Sequence, residues 1–270
     1  MINRSKILGG VLRSSKFVTL ASLITGKSQK EIRSIQNRLF KPFGFKHFEL
    51  AIASAGAFKE LKVVQVGAND GKTGDPVFAA IHAYAKAALL IEPQQWLMDS
   101  LRSNYSSFRG NLTIENIAIG TEEGTLKLHV LDELYWADYT KNAGSHPSLI
   151  FGPCREQVVN RVAGRLGLSK NEADAVVIPD FVPVQPLKTV LEKHGFLDLD
   201  VLQVDCEGWD FKVLQSLDDV RPPIINFESA NLTDRDWQSF VEWSIENDYG
   251  FIRCGMDTLA IRNFPTRELD

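Results

Sequence analysis

The sequence predicts an α/β fold: a mostly parallel, doubly wound sheet with a C-terminal antiparallel strand and an N-terminal helical appendage. Three observations carry this. Short β-rich runs alternate with helical ones from Leu61 onward, a glycine loop follows the first run, and an acid, Glu92, closes the next apolar run. Such alternation is the pattern of βαβ units, which place helices on both faces of a parallel sheet.

The elements follow in order. Residues 1–58 read as the helical appendage: Ile7, Leu8, Val11 and Leu12 recur at helical spacing, and Ser28-Gln29-Lys30-Glu31 is a capping box ahead of Ile32, Ile35 and Leu39. Lys41-Pro42 ends that second helix. Residues 59–270 read as the main domain, with strands at 61–66, 87–92, 112–117, 199–205 and 223–228 and further strand pattern at 124–131, 176–184, 249–254 and 258–262. Helices are expected at 76–86, 94–105, 154–167, 186–194, 207–217 and 233–247. The segment 138–152, "DYTKNAGSHPSLIFG", has the composition of a long loop and is the candidate lid.

Charge divides the chain unevenly. Residues 1–48 hold ten Lys or Arg and one acid, hence +9, against 20 basic and 33 acidic residues, hence −13, in the remainder. The main domain therefore lacks the basic surface that nucleic acid requires, and an acidic pocket suits a cationic or neutral ligand. The basic helices of 1–58 fit either a cap with its charged face in water or weak docking on an acidic partner or anionic membrane surface. Cys154, Cys206 and Cys254 form no C-x-x-C pair, so neither a disulfide framework nor a zinc site is expected, and a cytoplasmic location is the default. The run Phe17 to Ile24 is too short for a membrane span, and no clear cleavage site follows it.

The loop "VGANDGKTGDP" invites comparison with a P-loop, and the comparison fails. Only three residues separate Gly67 from Gly71 where the P-loop needs four, and Asp75-Pro76 opens the helix after Lys72 and Thr73. Asp70 would also repel a phosphate. A Gly67-x-Asn69-x-Gly71 turn still lets backbone approach a ligand closely, and Asp70 favours a positive charge there. S-adenosylmethionine carries an ammonium and a sulfonium, and Glu92, 21 residues after Gly71, stands where an acid accepts ribose hydroxyls in doubly wound folds.

With "VGANDG", "IEP", "NIAIG", "VDCEGWDFKVL" and "PPIINFE" in this order, the sequence over roughly 61–262 resembles the FkbM family of S-adenosylmethionine-dependent methyltransferases. The resemblance implies a Rossmann-like class I methyltransferase fold and transfer to a hydroxyl of a sugar or natural product. It assigns Gly67, Asn69 and Gly71 to the donor loop, Glu92 to the ribose, and the segment Asn116 to Ile119, with Ala118, to the adenine. Gln65 departs from the pattern, standing where many methyltransferases place an acid.

For the chemistry, an acceptor alcohol must lose a proton to a nearby base. Asp205, at the carboxyl end of the run "DVLQVD", is the first candidate; Glu228, ending "PPIINFE", and His146, in the candidate lid, are the others. The bland alternatives are a helix cap for Asp205, an exposed strand-end acid for Glu228 and a solvated loop residue for His146. Trp136, Tyr139 and Trp209 are candidates to stack on a sugar or adenine face, or else core and rim packing. Asp205, Glu207 and Glu228 have the oxygen chemistry magnesium prefers, but nothing in the sequence fixes a geometry, so no metal is expected. The acceptor is expected to be a small molecule or glycan. A P-loop-like nucleotide hydrolase and a non-catalytic interaction module are the rival readings.

Overall fold

The computed structural model describes residues 46–56, 59–143, 150–152 and 154–263. The appendage expected over 1–58 lies outside the described residues except for 46–56, and so does His146 with the middle of the candidate lid. In chain order the elements are α1 (Lys46–Gly56), β1 (Leu61–Val66), α2 (Phe78–Tyr84), β2 (Ala85–Ile91), α3 (Met98–Asn104), β3 (Asn111–Glu115), β4 (Ala118–Ile119) and β5 (Gly124–Leu131). There follow α4 (Trp136–Ala143), β6 (Phe151–Gly152), α5 (Arg155–Leu166), α6 (Lys170–Ala175), β7 (Val177–Gln185), α7 (Leu187–His194) and β8 (Val201–Val204). The chain continues through α8 (Asp210–Gln215), β9 (Ile224–Glu228), α9 (Asp234–Glu246), β10 (Tyr249–Cys254) and β11 (Asp257–Arg262).

A seven-stranded sheet runs β10-β11-β9-β8-β1-β2-β3. Strands β3, β2, β1, β8 and β9 are mutually parallel, while β11 lies antiparallel between β9 and β10. The central strands are buried on both faces, as parallel strands covered by helices must be: all of β8 and β9 and five consecutive residues of β2 are buried. One face packs Val63, Leu90, Val201 and Ile224 against Phe48 and Ile52 of α1, Ile81 of α2 and Leu101 of α3. The other packs Val64, Leu89, Leu202 and Ile225 against α7, α8 and α9 through Val190, Leu214 and Phe240. Burying each such aliphatic side chain contributes roughly 1.5–3 kcal/mol.

Strand order reverses between β1 and β8, and in open α/β sheets ligands bind outside the carboxyl ends of the strands at such a point. Three adjacent strands each carry one buried amide at the same register here, Gln65, Gln203 and Asn226. Asn226 Nδ2 donates to Gln203 Oε1 at 2.8 Å and Gln203 Nε2 to the Val204 carbonyl at 3.1 Å.

Two differences from the expected elements bear on the site. The strands at 124–131 and 177–185 pair with each other in a second, four-stranded sheet ordered β4-β7-β5-β6, whose own core holds Leu131, Tyr139, Val158, Val162 and Val177. An alternating pattern fixes a strand and its buried face but not the sheet it joins. The helix expected at 207–217 is shorter because Glu207 and Gly208 take positive φ, 52° and 97°, and break the turn before α8. Glu207 therefore lies outside the helix and pairs with Arg161 of α5 at 2.9 Å, so the inserted unit touches the carboxyl edge of the large sheet.

Candidate active site

The loop after β1 is tied to β2 and to itself. The Gly67 and Ala68 amides both donate to the Ile91 carbonyl, at 2.9 and 3.1 Å, and Gly71 N donates to the Ala68 carbonyl at 2.8 Å. Asn69, at φ 51°, donates its amide to Glu92 Oε2 at 2.8 Å. Asp70 builds the loop from within: its oxygens accept from Lys72 N, Thr73 N and Thr73 Oγ1 at 2.9, 2.7 and 2.6 Å. Lys72 and Thr73 are exposed and precede α2, so the Lys and Thr of a P-loop are not at a helix start.

Glu92, 1% exposed, also accepts at Oε1 from Gln94 N and Nε2, at 3.0 and 3.1 Å. Burial raises its carboxyl above the usual range, against the pull of those donors. Asn116 Nδ2 donates to the Glu92 and Pro93 carbonyls at 2.9 and 3.0 Å, and Ala118 and Ile119 follow as β4, paired with Val184 and Gln185. Direct hydrogen bonds thus join Asn69, Glu92 and Asn116, Gly67 and Gly71 are tied in through Ile91 and Ala68, and Ala118 and Ile119 come next along the chain.

Asp205 stands opposite the loop. Its amide donates to the Val66 carbonyl at 3.0 Å, and a Cβ built on Gly67 would sit 1.9 Å from its carbonyl oxygen. Asp205 is exposed to solvent. Desolvation, then Glu207 and Asp75, push its carboxyl up to about 6. Glu228, 7% exposed at the end of β9, accepts from Asn231 Nδ2 at 2.8 Å and is pushed up to about 8 by burial and then by Asp205, Glu207 and Asp210.

Three acids that were not among the candidate site residues join this edge. Asp257 pairs in register with Glu228 and is raised to about 7 by burial and Asp205. Asp210, fully buried, accepts from the Cys206 and Gly208 amides and is raised to about 7 by burial and Asp205. Asp75 is raised by burial and accepts from Gln65 Nε2 at 3.0 Å. Asp210, rather than Asp205, is thus the acid that satisfies the amides ahead of α8. Among the described residues no group of three or more His, Cys, Asp or Glu is arranged to hold a metal ion.

The stacking candidates divide. Tyr139 is 1% exposed inside the inserted unit and is core. Trp136 meets Trp96 edge-on at 5.4 Å between ring centroids and donates to the Leu131 carbonyl. Trp209 has Lys212 Nζ 3.4 Å over its ring, and its Nε1 is buried without a partner.

The raised acids set a pH dependence. Each ordinarily titrates near 3.8 or 4.5, whereas in the fold Asp205, Asp210, Asp257 and Glu228 titrate at about 6 to about 8. Between those values the folded chain holds protons the unfolded chain has lost, so stability falls as pH rises through the window. The melting temperature of the ligand-free protein is expected to drop by several degrees between about pH 5 and pH 8, at roughly 2–4 °C per kcal/mol. Thermal denaturation across that range checks this, and a rising melting temperature would contradict it.

The strand order, the glycine loop after β1, the acid after β2 and the carboxylates beyond β8 and β9 define a Rossmann-like α/β methyltransferase fold. The Methyltransferase FkbM domain matches residues 65–253, and the chain belongs to that family. It is thus a methyltransferase domain of a family that takes its methyl group from S-adenosylmethionine. No curated protein matches the chain. Among solved structures, methyltransferase FkbM from Methylobacillus flagellatus KT is 13% identical at a TM-score of 0.44, over 75% of this chain and 43% of that one. A methyltransferase from Geobacter sulfurreducens is 12% identical at 0.38, over 96% and 94% of the two chains. TrmK of M. capricolum, solved with S-adenosylhomocysteine, is 10% identical at 0.37, over 78% and 66%.

The site's own chemistry fits that donor. Gln65 Oε1 and Gln94 Oε1 are buried acceptors without partners, and the surrounding charge is anionic. Such a set suits a ligand that offers ammonium protons and ribose hydroxyls, and it disfavours phosphate. Among the described residues, no helix is long and apolar enough to cross a membrane.

Proposed function

We propose that the chain is an S-adenosylmethionine-dependent O-methyltransferase acting on a hydroxyl of a small molecule, a glycan or a glycosylated metabolite. The observation that supports it is Asp205: a solvent-reaching carboxylate beyond β8, with its backbone against the Gly67 loop and its carboxyl at about 6. At neutral pH it is ionised and able to take a hydroxyl proton, which is the role an alcohol acceptor requires.

When bound, S-adenosylmethionine supplies a methyl carbon already activated as an electrophile. Gly67, Asn69 and Gly71 bring backbone close to the donor, with Asp70 shaping the loop. Glu92 accepts the ribose hydroxyls, and Asn116, Ala118 and Ile119 line the adenine. Asp205 orients the acceptor oxygen and receives its proton. Glu228, at about 8, carries its own proton near neutrality and donates a hydrogen bond that holds the acceptor. His146 remains a candidate for proton transfer at the acceptor. Trp136 and Trp209 offer aromatic faces for a sugar ring.

In this reading the protein is cytoplasmic and binds no nucleic acid, which its isolated cysteines and acidic main domain support, and the basic residues 1–58 make weak contact with a membrane surface or an acidic partner.

Calorimetric titration with S-adenosylmethionine, with ATP and magnesium as the comparison, tests the donor assignment. Glu92→Gln removes a charged acceptor and sets an amide against Asn69 N and Gln94 N, so donor affinity should fall about tenfold or more. Unchanged affinity in that variant removes Glu92 from the site, and binding of ATP alone restores the hydrolase reading. A screen of sugar and glycoside hydroxyls with labelled donor then tests the acceptor class.

A further inference from the structure

The end of β1 presents a buried amide oxygen beside a half-buried carboxylate. Gln65, 2% exposed, donates from Nε2 to Asp75 Oδ2 at 3.0 Å, and its Oε1 is buried without a partner. The amide must point this way, because the reverse would set its carbonyl oxygen against the carboxylate. Asp75 Oδ1 is engaged by Val77 N and Phe78 N, at 2.6 and 2.9 Å, whereas Oδ2 receives only the amide. Among the described residues Asp75 has no ion-pair partner. A buried carbonyl oxygen without a donor costs free energy, and a half-buried carboxylate without a cation adds to that cost. One primary ammonium, with three N–H groups, satisfies both.

We propose that Gln65 Oε1 and Asp75 Oδ2 form the site for the α-ammonium group of the methyl donor, so that in this chain the acid has moved from the first strand to the turn ahead of the following helix. The inference rests on the reading of the chain as S-adenosylmethionine-dependent. The neighbouring acids are committed elsewhere: Glu92 to three donors, Asp210 to two amides, Glu207 to Arg161 and Glu228 to Asn231. Asp205 and Asp257 are the remaining rivals, and Asp205 lies near enough for the Asp75 charge to raise its carboxyl.

The test compares two ligands by calorimetry on the full chain: S-adenosylhomocysteine, which carries the α-ammonium, and methylthioadenosine, which lacks the amino-acid end. Asp75→Asn keeps an oxygen for the Val77 and Phe78 amides but removes the charge. It should weaken S-adenosylhomocysteine by about tenfold or more and leave methylthioadenosine within about twofold. The double variant Gln65→Glu, Asp75→Asn, which returns the acid to the strand, should recover the lost affinity. The proposal is overturned if Asp75→Asn binds S-adenosylhomocysteine as tightly as wild type, if it loses both ligands equally, or if Asp205→Asn shows the selective loss instead. Wild-type protein that binds neither ligand would overturn the donor assignment itself, a failure distinct from the other three.

Discussion

Replacing Asp205 by Asn lowers turnover of a verified acceptor by roughly 10²- to 10⁴-fold, the range a positioned proton acceptor contributes. Donor affinity should stay within about twofold, because the backbone of Asp205, not its carboxylate, meets the donor loop through the Val66 carbonyl and Gly67. In the wild type the rate should rise with pH through about 6, where the Asp205 carboxyl loses its proton. A stability measurement guards the interpretation. Asp205 is among the charges that raise Glu228, Asp210 and Asp257, so removing it relieves like-charge repulsion. Asp205→Asn should therefore melt at or above the wild-type temperature. Full turnover in that variant would remove Asp205 as the base, whereas lost turnover with a lowered melting temperature would point to a damaged fold.

The parts of the fold visible in the sequence are those set by local periodicity. The expected strand at 61–66 is β1 residue for residue, and 223–228 differs from β9 at one end only. Helix α6 was missed because "KNEADA" buries a single alanine and shows no apolar stripe; the signal that could have found it is the Ser169 to Glu172 capping box. The second sheet was out of reach because pairing of β5 with β7 joins residues some fifty positions apart, and alternation says nothing of partners.

The site follows the same division. The position of Glu92 beside the glycine loop was legible because its distance from that loop along the chain reflects one βαβ unit, and the fold places its carboxylate on Asn69 N. Asp257 was not, since only the antiparallel register of β11 with β9 sets it beside Glu228. Asp75 was read as a helix cap, but α2 begins at Phe78 with Val77 at its N-cap, and Asp75 Oδ1 instead holds the turn ahead of it through the Val77 and Phe78 amides; its second oxygen, turned to Gln65, depends on a strand ten residues earlier. Residues whose role is set by one loop show in sequence, and residues whose role is set by the convergence of several strands do not.

That convergence also sets the second large effect, at Gly67. The donor loop and the Asp205 turn meet backbone to backbone: a Cβ on Gly67 would lie 1.9 Å from the Asp205 carbonyl oxygen and 2.9 Å from its carbon, with φ at +79°. A side chain cannot rotate away from such a contact because Cβ is fixed by the backbone. Gly67→Ala must therefore displace the loop, the β8 turn or both, and the strain of positive φ adds about 1–3 kcal/mol. Either displacement moves Asn69 N from Glu92 and Asp205 from its place beside the loop, so donor binding and turnover should both be lost, with a melting temperature well below wild type. Gly74→Ala is the control, since Gly74 has φ +71° but nothing within 4 Å of the added carbon. It meets the conformational penalty without the collision and should retain donor binding within about threefold of wild type. If Gly67→Ala bound donor as well as Gly74→Ala does, close approach of these two turns would not be what builds the site.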